Sequence, residues 1–113
     1  MKENLIKIAT LGLSKKQIKD IEDYLKIKSV KITYYDSLDD FISSQAKVLI
    51  VNSKVLNASE KEVFLNFYSG IYNKKDIIVC WLDYPVPPLQ FRLRFHCHHY
   101  LDEIIYLLNN KFT

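Results

Sequence analysis

Val48-Leu49-Ile50-Val51 is apolar at every position, and Ile77-Ile78-Val79-Cys80-Trp81-Leu82 repeats the pattern. Successive side chains on a strand point to opposite faces, so a segment that is apolar throughout needs cover on both sides. A central strand of a parallel sheet, with helices packed on each face, supplies that cover. Working outward, Leu5-Ile6-Lys7-Ile8-Ala9 reads as a first strand, and Val30-Lys31-Ile32-Thr33-Tyr34-Tyr35 alternates as a half-exposed edge strand does. Ser14-Lys15-Lys16-Gln17 has the spacing of a capping box, followed by Ile18, Ile21, Tyr24 and Leu25 on one helical face. A short helix starts from a Ser37 cap and buries Leu38, Phe41 and Ile42. Asn57 or Ser59, each with a Glu three residues on, caps a third helix whose stripe is Val63, Phe64, Phe67 and Ile71, with Gly70 helping it to stop.

The cadence changes at Asp83. Pro85, Pro87 and Pro88 deny a helix its interior hydrogen bonds, so the helix between the fourth and fifth strands is absent, or shortened to about two turns near Leu89 to Arg94. Phe95 to Tyr100 then forms the last strand. Leu101, Ile104, Ile105 and Leu108 make the stripe of a terminal helix, with Lys111 at its negative end. Short loops and alternating strands and helices make parallel pairing with right-handed crossovers the natural solution. The expected fold is a single three-layer α/β domain over residues 1–113, with a five-stranded, mostly parallel sheet in strand order 2-1-3-4-5.

The composition of the 113 residues narrows the function by exclusion. Hydrophobic residues make up 49% and charged residues 26%, which is the balance of a folded globular chain with one core. Fourteen lysines and two arginines against 13 acids leave a net charge of +3, with the signs interspersed along the chain. So mild a balance argues against a nucleic-acid or membrane partner. No apolar run approaches the ~20 residues that span a bilayer, and no small-residue cleavage site follows the N-terminal residues, so the expectation is a cytoplasmic protein with reduced thiols at Cys80 and Cys97. No cofactor motif is present, and none is expected.

A (βα)₅ cadence of this length, with an edge-type second strand and a doubly apolar third, resembles the receiver domain of bacterial response regulators, a flavodoxin-like fold. The resemblance implies a pair of acids after the first strand to hold a divalent metal, where this chain has Ala9-Thr10-Leu11. It implies a phosphoacceptor aspartate at the end of the third strand, where Leu49-Ile50-Val51-Asn52 ends in an amide. The hydroxyl residue expected after the fourth strand is replaced around Cys80-Trp81-Leu82, and no lysine follows the fifth. The resemblance is therefore to a degenerate receiver, a pseudo-receiver that is not phosphorylated at the usual position.

Every proline, arginine and histidine lies between Pro85 and His99. His96-Cys97-His98-His99 carries metal-ligand residue types, but strand alternation sends His96 and His98 to one face and Cys97 and His99 to the other. Two ligands do not make a site, and aromatic packing is the simpler reading. Phe91-Arg92-Leu93-Arg94-Phe95 interleaves guanidinium and aromatic groups, which suits protein recognition as well as a solvated strand face. In receivers, the face of the fourth helix, fifth strand and fifth helix carries dimerisation and output contacts. The resemblance places Leu89, Phe91, Arg92, Arg94, Phe95 and Tyr106 on that face, as an interface with a protein partner or a second copy.

The competing expectation is a small-ligand or anion site in the crevice at the C-terminal ends of strands 1 and 3, where doubly wound sheets bind ligands. Thr10, Gly12, Ser14, Asn52 and Asp83 are its candidates, with helix N-terminal amides behind the two hydroxyls. No Ser-His-Asp or Cys-His arrangement can be assembled, because the histidines belong to the last strand and Cys80 belongs inside the sheet. The leading expectation is a non-enzymatic regulatory or protein-interaction module.

Overall fold

The computed structural model describes residues 5–69, 77–82, 96–98 and 100–112. In chain order these form β1 (Ile6–Leu11), α1 (Lys15–Tyr24), β2 (Val30–Tyr35), α2 (Leu38–Ile42), β3 (Val48–Asn52) and a 3₁₀ turn (Ser53–Val55). They continue with α3 (Ala58–Ser69), β4 (Ile78–Leu82), β5 (His96–His98) and α4 (Leu101–Phe112). The sheet runs β2-β1-β3-β4-β5 and all four strand pairs are parallel, so the expected order holds. The proline-rich stretch read as lacking a regular helix lies outside the described residues.

Alternation on the doubly apolar strands divides the interior into two cores. One face gathers Ala9, Leu11, Leu49, Val51, Val79 and Trp81 against Leu38 and Phe41 of α2 and Phe64 of α3. The other gathers Ile8, Val48, Ile50, Ile78, Cys80 and Leu82 against Ile21 of α1 and Leu101, Ile104, Ile105 and Leu108 of α4. Every residue of β4 is buried. Three layers follow directly from apolar residues at both odd and even positions.

The helix caps are those the sequence signals. Ser14 Oγ accepts from Gln17 N at 3.2 Å while Gln17 Oε1 accepts from Ser14 N at 2.9 Å. Ser37 Oγ accepts from Asp40 N. Of the two candidate caps for α3, Asn57 takes the role, exchanging hydrogen bonds with Glu60 in both directions. The caps fix where each helix leaves the sheet edge.

The expected stripe of α3 packs only at Phe64, and Ile71 lies outside the described residues. Phe64 is fully buried, in contact with Phe41 at 6.1 Å and Trp81 at 5.5 Å between ring centroids, and Leu65 packs beside it. Val63 and Phe67, read as core, are 49% and 43% exposed. The helix is rotated so that its bulkiest contact is with Trp81, and the aromatic column from Phe41 through Phe64 to Trp81 sets that rotation. On α1, Tyr24 is likewise exposed while Ile21 and Leu25 make the contact.

Phe64→Ala therefore should lower unfolding free energy by about 3–5 kcal/mol, whereas Val63→Ser should change it by less than about 0.5 kcal/mol. Urea unfolding followed by Trp81 fluorescence measures both. Equal losses at the two positions would contradict this rotation of α3.

Candidate functional site

The C-terminal ends of the three central strands are laced together by two short side chains. Asn52 follows Val51, the register partner of Leu11, and so stands beside the loop that leaves β1. Its Nδ2 donates to Gly12 O at 3.3 Å, and its Oδ1 accepts from Lys54 N at 3.0 Å, capping the 3₁₀ turn. Ser53, fully buried, donates its hydroxyl to Leu82 O at 3.1 Å and ties β3 to β4. Both ends of the Asn52 amide are engaged with backbone, which leaves it a clasp and no nucleophile.

Gly12 completes the clasp. Its φ is +80°, in the left-handed region that side chains disfavour. A β-carbon there would stand 2.8 Å from Val55 Cγ1 and closer still to Cγ2. Gly12 thus lets Val55, at the end of the 3₁₀ turn, close against the loop after β1. The single glycine serves this close approach rather than a phosphate loop. The other sequence candidates are placed as follows. Thr10 is buried in β1, Ser14 is engaged as the α1 cap, and Asp83 lies outside the described residues.

A cavity of about 270 Å³ opens beside the clasp on the β2 side of β1. Thr10, Gly12, Tyr34, Asp36, Val55 and Glu60 are among its lining residues, so two of the five candidates reach it while Asn52 and Ser14 do not. Its charged lining residues are both carboxylates, which opposes the anion expected near this end of the sheet. The Tyr34 hydroxyl is buried beside the Glu22 carboxylate. Burial first, and the charge of the nearby Glu22 carboxylate second, raise the Tyr34 phenol above its ordinary pKa. Tyr34 and Val55 were invisible as site residues in the sequence, because each reads as an ordinary apolar position.

The last strand places its side chains as alternation dictates. His96 pairs with Cys80 and His98 with Leu82 on the α4 face, while Cys97 pairs with Trp81 on the opposite face. Cys80 and Cys97 are therefore free thiols directed to different layers. Burial, with a smaller contribution from Cys97, pushes the Cys80 thiol up to about 12, which makes it an inert core residue. His98 Nδ1 lies 3.6 Å from Glu103 Oε1, the same oxygen that accepts from Tyr100 N at the start of α4. Among the described residues no three His, Cys, Asp or Glu side chains gather to hold a metal.

Of the expected interface, Tyr106 stands on the outer face of α4, 71% exposed. Leu89, Phe91, Arg92, Arg94 and Phe95 lie outside the described residues. No family model, no curated protein and no solved structure matches the chain, so the functional reading rests on the site itself.

His96 gives this region a pH dependence. Its pKa is lowered from 6.5 by burial, then by His98 and then by Lys111. The unfolded chain therefore binds that proton more readily than the fold does, so stability is full above 6.5 and falls as pH drops towards the lowered folded value. Denaturant unfolding between pH 5 and 8 should show a decline below pH 6.5 that is shallower in His96→Asn. Parallel curves for the two proteins would assign the decline to other groups.

Proposed function

We propose that this chain is a non-enzymatic regulatory or protein-interaction module of pseudo-receiver type, not phosphorylated at the usual position. The observation that carries this reading is the Asn52 clasp. The residue at the end of β3, where a receiver has its phosphoacceptor, here closes the crevice by bonding Gly12 O and Lys54 N. Val55 fills the same entrance against Gly12. The residues at the end of β1, Thr10 and Leu11, are buried and carry no carboxylate for a divalent metal. A module of this kind acts by the surface it presents. Tyr100, just before α4, and Tyr106, at its middle, are both 71% exposed and offer aromatic area for a protein partner or a second copy. Among the described residues no helix is long and apolar enough to cross a membrane.

A second reading, small-ligand binding by a flavodoxin-like domain, is favoured by one observation, the cavity that Thr10 and Gly12 line. Its acidic lining suits a neutral or cationic molecule better than an anion. The residues at hand supply no nucleophile–base pair there, so binding is the extent of what this reading supports.

Incubation with acetyl phosphate and Mg²⁺ should leave the intact mass unchanged. Light scattering across a concentration series should show self-association or binding of a protein partner that weakens in Tyr106→Ala and in the Arg92→Ala, Arg94→Ala double variant. A phosphoryl group found on the loop after β3 would overturn the pseudo-receiver reading. A thermal shift with a nucleotide or flavin, about 2.7 kcal/mol of added stability at 100 times its dissociation constant, would favour the ligand reading instead.

A further inference from the structure

Lys7 and Lys31 are register partners on the parallel strands β1 and β2, so both side chains leave the same face of the sheet as neighbours. Like charges in this position oppose the strand pairing that brings them together, and among the described residues neither lysine has a carboxylate partner. Both line a cavity of about 130 Å³ that also takes in Thr33, Tyr35 and Ser44. Among the described residues no acid lines it. The cause is the shortness of α2. Its five residues pack Leu38 and Phe41 over Ala9 and Leu11, and the loop that follows, turned by Gln45 at φ 56°, arches over the earlier half of the same strands. Beneath that loop the Ser44 hydroxyl is buried with no hydrogen-bond partner. Lys47 does not join the group, since its ammonium sits 5.6 Å from the Phe112 ring.

We infer that this cavity is a binding site for a phosphate-type oxyanion, held by the Lys7 and Lys31 ammonium groups with the Thr33 and Ser44 hydroxyls. One anion removes two anomalies together. It neutralises the neighbouring lysines, and it supplies an acceptor for the buried Ser44 hydroxyl. The volume of about 130 Å³ admits a small tetrahedral anion. The site lies away from the Asn52 clasp, so its occupancy is independent of the pseudo-receiver reading.

The test is a titration of ¹⁵N-labelled protein with inorganic phosphate, set against sodium chloride at matched ionic strength and against acetate. Phosphate should produce saturable shifts at the amides of Lys7, Lys31, Thr33 and Ser44. Lys31→Met and Lys7→Met, both at exposed positions where removing a charge relieves repulsion, should each weaken the apparent affinity about tenfold or more. Lys26→Met, a lysine distant from this face, should leave it unchanged. Shifts that chloride reproduces, equal affinity in Lys31→Met, or equal weakening in Lys26→Met would overturn the site. Saturation by acetate as tight as by phosphate would overturn the phosphate assignment.

Discussion

Burial of β3 and β4 on both faces is the constraint on which the rest of the structure depends, because it forces every other element into a cover for one side or the other. Leu49, Val51, Val79 and Trp81 need α2 and α3, and Val48, Ile50, Ile78, Cys80 and Leu82 need α1 and α4. Right-handed crossovers between parallel strands then leave the order β2-β1-β3-β4-β5 as the arrangement that meets both demands. The edge strand β2, half-buried except at the exposed Lys31, is free to carry lysine and tyrosine.

That arrangement also fixes where a site can exist. In a doubly wound sheet the strand ends between β1 and β3 form the natural crevice. In this chain Asn52, Ser53, Gly12 and Val55 close it with backbone hydrogen bonds and a methyl contact. Polar side chains there serve cohesion, and among the described residues two cavities lie along β1 and β2. One cavity has an acidic lining at the C-terminal end of β1 and β2, and the other has a basic lining on the earlier half of the same strands.

The sheet order was legible because apolar runs and capping spacings are local signals, and the α4 stripe of Leu101, Ile104, Ile105 and Leu108 is buried residue for residue. Rotation of α3 was not legible, since Val63, Phe64 and Phe67 are equally apolar and only the position of Trp81 chooses among them. Gly12 and Asn52 were readable as candidates, but their contact spans 40 residues of sequence and required the fold. The pairing of Lys7 and Lys31 depends on strand register, which no spacing in the chain encodes. Thr10, read as a ligand hydroxyl, is buried at the wall of the acidic cavity, and Ser14 caps α1.

The proposed pseudo-receiver reading turns on Asn52 acting as a structural clasp at the end of β3. Asn52→Asp tests it most directly, because the substitution keeps the shape, removes the donor to Gly12 O and installs the acid that phosphorylation chemistry needs. Denaturant unfolding of the variant with and without Mg²⁺ should show a loss of about 1–3 kcal/mol that Mg²⁺ does not restore. Unchanged stability, or a gain that depends on Mg²⁺, would show a metal-binding receiver pocket and contradict the account.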